Sequence, residues 1–137
     1  MARRKTWQEK KDNGREPIVV KLKKSFAGVP EGAALLISTP REVERYIRRI
    51  PEGRAVQPTE LRRKLAARHA ADATCPVSMG IFLRIVAEAA WEEIQDGKDP
   101  SEVAPFWRIV EPGSALEGKL TCGPAFVRKM RRAEGIT

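Results

Sequence analysis

The stretch "PVSMGIFLRIVAEAAWEEIQD", residues 76–96, decides the fold because it predicts one long helix that is largely apolar. Pro76 is well placed in the first turn, where the missing N–H has no helical partner to lose. The middle part, "GIFLRIVAEAAW", is apolar nearly all round, which is typical of a helix at the centre of its domain. Its first turns carry the small or uncharged residues Ser78, Met79 and Gly80. The rest of the domain is therefore expected to pack around this helix.

A shorter helix is predicted upstream, beginning at "TPRE". Thr39 is a good N-cap, Pro40 suits the first helical position, and Glu42 stands three residues after the cap, which together form a capping box. Apolar residues then recur at helical spacing. Pro51 and Gly53 end this helix.

A second helix is predicted from Thr59, and the connection "HAADATCP" separates it from the central helix. Two helices joined by a short break indicate a helix-turn-helix, although this connection is longer than the usual three or four residues. A last helix is predicted over residues 124–133. We expect a mainly α fold of the helix-turn-helix, winged-helix-like kind over residues 39–137.

Residues 1–38 are expected to form a separate basic N-terminal arm with short strand-like segments. Two apolar runs, Ile18–Leu22 and Ala33–Ile37, are candidate strands, and the second is alternatively the entry to the next helix. Residues 1–16 are polar and are expected to be flexible or loosely docked. Their basic residues are Arg3, Arg4, Lys5, Lys10, Lys11 and Arg15.

Two segments after the central helix are predicted to be irregular. In "APFWRIV", residues 104–110, Pro105 disfavours helix at Ala104, so the two aromatic residues are expected in an extended turn. The segment "ALEGKLTCGP", residues 115–124, is expected to be an irregular or hairpin-like loop.

The charge balance favours a polyanionic partner. The 137 residues carry a formal net charge of +8 and the pI is about 9.9, an excess that most often serves nucleic-acid binding. The alternative is an ordinary basic, solvated surface. No apolar run approaches the roughly 18–20 residues of a membrane span. The charged N-terminus has no hydrophobic region of the kind a secretory signal needs. We expect a cytoplasmic, nucleoid-associated protein with no membrane partner.

Cysteine and histidine usage indicates no metal site. Cys75 and Cys122 stand far apart, and His69 is the only histidine. A structural zinc site needs about four ligands at short spacings. No metal or cofactor is therefore expected, and the two thiols are expected to be reduced and partly buried. His69 is interpreted as a surface or helix-cap residue.

The order of the motifs is more specific than any one of them. "IPEG" (50–53) and "TELRRKLA" (59–66) precede the proline-started central helix, and "PFWRIV" (105–110) and "RRAEGI" (131–136) follow it. This order resembles the C-terminal DNA-binding domain of the O6-alkylguanine-DNA alkyltransferases over about residues 39–136. That family has an IPxG turn, a helix with a G-E-L-A core, a recognition helix, a P-C-H-R-V motif and a last helix ending in E-G.

The resemblance implies a protein without the alkyltransferase reaction. Phe106 stands at the position of the alkyl-accepting cysteine, and Trp107 stands at that of the proton-relaying histidine. Neither ring can act as a thiolate or as its base. The chain is thus similar in kind to the alkyltransferase-like proteins, which bind alkylated DNA and hand the lesion to other repair factors. The implied function is non-enzymatic DNA binding in DNA repair, with duplex DNA and repair proteins as partners.

The resemblance also implies a base pocket. In the family this turn lines the pocket for a flipped-out guanine, so Pro105, Phe106, Trp107 and Arg108 are its expected lining. Either aromatic ring could stack on an extruded base. The alternative is that both rings fill the core. Arg108 is expected to bond loop carbonyls.

The expected DNA-contacting residues follow partly from this resemblance and partly from the basic faces of the helices. The family's intercalating arginine falls near Gly80, and the nearest arginine, Arg84, takes that role or pairs with Glu88. Ser78 and Gly80 would let the helix backbone approach DNA, although Gly80 alternatively serves close helix packing. The expected phosphate contacts are Arg62, Arg63, Lys64, Arg128 and Lys129.

Two other functions stay open at this point. One is a divergent enzyme that uses Cys75 or Cys122. The other is an RNA-binding or protein-interaction module on the same scaffold, since a fold does not fix a function. The sequence leaves the oligomeric state undetermined.

Overall fold

The structure, a computed structural model, describes residues 5–136, so Arg3 and Arg4 of the predicted arm lie outside the described residues. It is a mixed α/β fold in which helices dominate and a small sheet lies at one side. The helices and strands in chain order are α1 (Trp7–Lys11), β1 (Ile18–Lys21), β2 (Ala34–Ile37), α2 (Pro40–Arg48), α3 (Pro58–Arg68), β3 (Ala73–Thr74), α4 (Pro76–Gln95), α5 (Ala115–Lys119) and α6 (Gly123–Ala133). Single turns of 3₁₀ helix cover Pro100–Glu102 and Phe106–Arg108.

The predicted start of α2 is confirmed, with one difference in its cap. The Thr39 hydroxyl accepts a hydrogen bond from the Glu42 backbone N–H at 3.2 Å. The Glu42 carboxylate is directed elsewhere: it accepts a hydrogen bond from Ser38 Oγ at 2.6 Å and lies 2.6 Å from His69 Nε2. His69 is the C-cap of α3, as expected for a cap residue, and its contact with Glu42 ties α3 to α2.

The sheet joins the N-terminal segment to the helical part. β1 pairs antiparallel with β2, and β2 pairs parallel with β3, which lies in the connection between α3 and α4. The Asp72 and Cys75 backbone N–H groups donate to the Ala34 and Leu36 carbonyls at 2.8 and 2.9 Å. The long connection before α4 is therefore held against β2, which fixes the start of α4.

Helix α4 is the centre of the fold, as its apolar sequence predicts. Its buried residues Met79, Leu83 and Val86 join a core with side chains of α2, α3 and β2. Further along, Ala87 and Ala90 pack in a second cluster with the aromatic pair and α6. Burying one large apolar side chain stabilises the fold by roughly 1.5–3 kcal/mol.

The N-terminal arm is docked where the structure describes it. The Trp7 and Gln8 backbone N–H groups donate to the Glu92 carboxylate at 3.1 Å each, and Lys11 pairs with Glu44 at 2.7 Å. Glu92 lies on α4, so α1 covers one side of the central helix. The expectation of a flexible or loosely docked arm is wrong for this part, because α1 has specific buried partners.

Two loop predictions are also wrong. Residues 115–119 form α5, whose N-cap Ser114 accepts a hydrogen bond from the Glu117 N–H at 3.2 Å. Phe106 and Trp107 lie in a 3₁₀ turn instead of an extended turn, because residues after Pro105 are free to adopt helical angles. Within residues 5–136, every helix is too short or too polar to cross a membrane.

Candidate nucleic-acid interface and the Glu134 cluster

The N-terminal half of α4 presents apolar side chains to solvent. Val77 and Ile81 are 56% and 55% exposed, whereas Met79 and Leu83 on the opposite side are buried in the core. Gly80 lies between the two exposed residues. We call Val77, Gly80, Ile81 and the neighbouring Arg84 the α4 surface.

Gly80 leaves open space on this surface. A Cβ added there would meet no heavy atom of a neighbouring residue within 4 Å. The alternative that Gly80 serves close helix packing is therefore removed, and the backbone at Gly80 is accessible to a large partner. Ser78, one of the predicted contacts, is half-buried, and its hydroxyl has no hydrogen-bond partner among the described residues.

Basic side chains line two grooves at the N-terminal half of α4. Arg62 and Arg63 of α3 line a groove of about 430 Å³ together with Pro76 at the start of α4. Lys10 and Lys119 line a second groove, of about 610 Å³, together with the α4 surface. The Thr74 hydroxyl donates to the Arg62 carbonyl at 2.7 Å and so fixes α3 beside the start of α4.

Arg84 is already held by neighbours. Its Nε lies 3.7 Å from Glu88 Oε2, and its guanidinium lies 5.4 Å from the Trp7 ring centroid. Glu88 is buried and accepts a hydrogen bond from the Thr121 hydroxyl at 2.9 Å. The expected pairing of Arg84 with Glu88 is therefore present, and an intercalating role would require Arg84 to leave both partners.

The other predicted phosphate contacts lie elsewhere. Lys64 is exposed and pairs with Glu60 at 3.2 Å. Arg128 is 52% exposed and pairs with Glu117 at 3.4 Å. Lys129 lines a cleft of about 550 Å³ beside Trp107. Only Arg62 and Arg63 of the five predicted phosphate contacts line a groove at the start of α4.

The aromatic pair is enclosed in the core. Phe106 is 0% and Trp107 is 2% exposed, and Pro105 beside them is buried. The Phe106 ring centroid lies 5.4 Å from that of Trp107 and 6.0 Å from that of Phe126. Pro105, Trp107 and Arg108 line the cleft of about 550 Å³. The base pocket near these rings stays a prediction, and stacking on them requires the turn to open.

A cluster around Glu134 was missed by the sequence analysis. The Glu134 carboxylate accepts hydrogen bonds from Trp107 Nε1 at 2.7 Å and from the Gly53 N–H at 2.9 Å. It also pairs with Arg108, whose Nε and Nη2 lie 2.8 and 2.9 Å from its two oxygens. Arg108 Nη1 donates to the Ile50 carbonyl at 2.7 Å, which bears out the expected bond to a loop carbonyl. The signal in the sequence that could have indicated this cluster is Glu134 itself, the acidic residue of the E-G dipeptide.

The pKa of Glu134 reflects this crowding. Burial acts to raise it, but the hydrogen bonds from Arg108, Gly53 and Trp107 outweigh burial, so the pKa lies below its ordinary value. The carboxylate is thus ionised at neutral pH. It holds Arg108, Gly53 and Trp107 together, and its oxygens are already engaged in these hydrogen bonds.

The Cys122 thiol lacks the lowered pKa of an activated nucleophile. Burial, with the nearby Glu88 and Glu117 carboxylates, raises the pKa of Cys122 to about 11, so its thiol is protonated at neutral pH. Cys75 is buried at the N-cap of α4. Within residues 5–136, no group of three or more histidine, cysteine or acidic side chains is arranged to hold a metal ion.

Comparisons with known proteins do not assign the chain to a family. No protein-family model matches the sequence. The searches of curated proteins and of solved structures found no match either.

Proposed function

We propose that this protein is a non-enzymatic DNA-binding protein that contacts duplex DNA through the α4 surface. The observation that carries the proposal is the exposure of Val77 and Ile81 around the open Gly80. Basic side chains line the groove along this surface and a second groove at the start of α4. Lysine and arginine side chains neutralise phosphates and set the position of a protein on DNA. Exposed aliphatic side chains contact sugars and base edges, and in minor-groove proteins they wedge between base steps.

The arrangement around Glu134 supports the proposed kinship with the alkyltransferase C-terminal domain. Three of the motifs that carry the resemblance, "IPEG", "PFWRIV" and the terminal E-G, meet at this carboxylate. These motifs lie far apart in the chain, so their meeting is a spatial relation that the motif order alone does not require. Under this proposal the cluster is a structural lock that keeps the 3₁₀ turn closed.

The proposal excludes transfer of an alkyl group to the protein. Phe106 and Trp107 replace the nucleophile and its base, and the thiol of Cys122 stays protonated. Intact mass measurement after incubation with O6-methylguanine duplex is expected to show the unmodified mass. The outcome that would establish the divergent enzyme instead is a stoichiometric gain of one methyl group in the wild type. Cys75→Ser or Cys122→Ser would have to abolish that gain.

A binding comparison tests the proposal. Plain duplex, O6-methylguanine duplex, single-stranded DNA and duplex RNA are titrated at several salt concentrations. If roughly four to six phosphates are neutralised, log K for duplex DNA falls with log salt with a slope of about −4 to −5. Tighter binding of the O6-methylguanine duplex than of plain duplex would support the predicted recognition of a modified base. Tighter binding of RNA, or no duplex binding at low salt, would overturn the proposal.

A further inference from the structure

We propose that the tip of the β1–β2 hairpin, residues 21–29, is a second DNA contact that extends the α4 surface and grips the phosphate backbone beside it. This inference rests on the proposed function and deepens it. It concerns a part of the chain that lies outside the segment resembling the alkyltransferases, so the resemblance supplies nothing to it.

The hairpin tip ends in a tight turn. Phe26 and Val29 exchange two backbone hydrogen bonds of 2.9 and 2.8 Å, and the two residues between them, Ala27 and Gly28, have φ values of 50° and 83°. Positive φ at both central residues is the mark of a type I′ turn, whose twist matches that of the flanking strands. Further down, the Leu22 N–H donates to the Ala33 carbonyl at 3.0 Å. The backbone of the tip is therefore held by hydrogen bonds within the hairpin.

The tip carries an exposed ring and unpaired positive charges. Phe26 is 44% exposed, although an aromatic side chain of its size is usually buried. Lys21, Lys23 and Lys24 are exposed, and none of them forms an ion pair with any residue from 5 to 136. The one acidic residue between residues 18 and 37 is Glu31. An apolar ring among free lysines is complementary to a polyanion that also offers apolar sugar and base surfaces.

The tip lies next to the proposed DNA-binding surface. Ala27 and Val29 line the same groove as Arg62 and Arg63, and Pro76 at the start of α4 completes it. β2 is held against β3 immediately before α4, so the hairpin and α4 are joined through one sheet. A duplex that contacts Arg62 and Arg63 would therefore pass close to the tip.

This placement favours duplex DNA as the occupant. A duplex presents one negative charge per roughly 1.7 Å of its axis, so it reaches lysines on the tip and arginines on α3 at the same time. We expect Lys21, Lys23 and Lys24 to contact phosphates and Phe26 to pack against a sugar or a base edge. If the tip served to bind an acidic protein instead, removing its lysines would leave the affinity for duplex DNA unchanged.

The experiment compares two triple variants of equal charge change. K21Q/K23Q/K24Q removes the tip lysines, and R45Q/R49Q/R132Q removes three exposed arginines outside the two grooves at α4. The tip variant is expected to bind duplex at least tenfold more weakly at 0.1 M salt, with a salt slope shallower by about 2 to 3, because each lost phosphate contact removes about 0.9 from the slope. The control variant is expected to keep the wild-type slope within about 1, because distant exposed charges are largely screened.

The ring is tested separately. Phe26→Ala is expected to weaken binding several-fold with an unchanged salt slope, since it removes no charge. Far-UV circular dichroism and the melting temperature report whether the hairpin is intact, and Phe26→Leu keeps an apolar side chain if alanine loosens the turn. Leucine in place of the ring should give an intermediate affinity.

The outcomes separate this inference from the proposed function. A wild-type protein that binds no duplex overturns both. Wild-type binding that depends on Arg62 and Arg63, with a tip triple variant indistinguishable from the control, overturns the hairpin contact alone. An equal loss in the tip and control variants also overturns it, because net charge would then explain the effect.

Discussion

At the residue scale, Glu134 joins three distant parts of the chain through one carboxylate. Glu134 stands at the end of α6. Its carboxylate accepts hydrogen bonds from Gly53 in the "IPEG" turn and from Trp107 and Arg108 in the 3₁₀ turn. Arg131, one helical turn earlier, donates to the Trp107 carbonyl at 2.8 Å. Side chains at the end of α6 thus bond both side chains of the turn and its Trp107 carbonyl.

Removing this carboxylate should destabilise the fold. Glu134→Ala leaves the Trp107 and Gly53 N–H groups without their acceptor and Arg108 without its ion-pair partner. We expect a loss of about 2–3 kcal/mol in the free energy of unfolding, less than for a fully buried pair because Arg108 reaches solvent. Chemical denaturation measures this value. Glu52→Gln in the same cleft is the control, and an equal effect there would contradict the role of Glu134.

The same carboxylate gives a pH dependence with a definite sign. Because the folded-state pKa of Glu134 is lower than its ordinary value, the ionised form stabilises the fold fully above that value, about 4.3, and this contribution is lost as the pH falls through the lowered folded-state pKa. We expect the stability difference between wild type and Glu134→Gln to be constant above about pH 5 and to shrink on acidification. A difference that grows toward acid pH would show that the pKa is raised instead.

The sequence predicted individual residues well where the signal was local. The Thr39 cap and the Pro76 helix start follow from neighbouring residues and are confirmed. The Glu134 cluster was missed because its donors come from chain positions up to 81 residues away. Phe106 is buried against Phe126, as the core-filling interpretation expects, whereas its role in a base pocket stays a prediction.

At the element scale, the two faces of α4 have different surroundings. Its buried side carries the core, and its first turns offer Val77 and Ile81 to solvent. The central position of α4 was predictable because a helix that is apolar all round has to be buried along most of its length. The short α5 was missed although Ser114 and Glu117 have the spacing of a capping box.

Gly80 allows a test in which stability and binding move in opposite directions. Alanine fits the open space at this position and has the higher helix propensity, so Gly80→Ala should raise the free energy of unfolding by about 0.5–1 kcal/mol. The added methyl group stands where DNA is proposed to approach, so duplex affinity should fall, and Gly80→Leu should lower it further. Thermal melts and duplex titrations on the same samples check both. Lower stability of the alanine variant would mean that Gly80 serves packing after all.

At the scale of the whole molecule, the charge of +8 is spread over several helices and the hairpin. Some of the basic side chains are neutralised by partners, such as Lys11 by Glu44 and Arg108 by Glu134. Composition predicts a polyanionic partner, which stays a prediction, and it does not indicate which surface such a partner would use. The surface depends on which charges the fold leaves free, and on β3, whose pairing with β2 sets the start of α4.

The most direct test of the central claim compares two charge reversals of equal size. Arg62→Glu with Arg63→Glu reverses the charges beside α4. Arg45→Glu with Arg49→Glu reverses one exposed arginine on α2 and the exposed arginine that follows its last residue. Duplex affinity is measured for both at about 0.1 M salt. We expect the first pair to weaken binding by about 30-fold or more, because two phosphate contacts become repulsive, and the second pair to weaken it only a few-fold. Equal losses would contradict a defined interface at α4 and would leave only attraction by net charge.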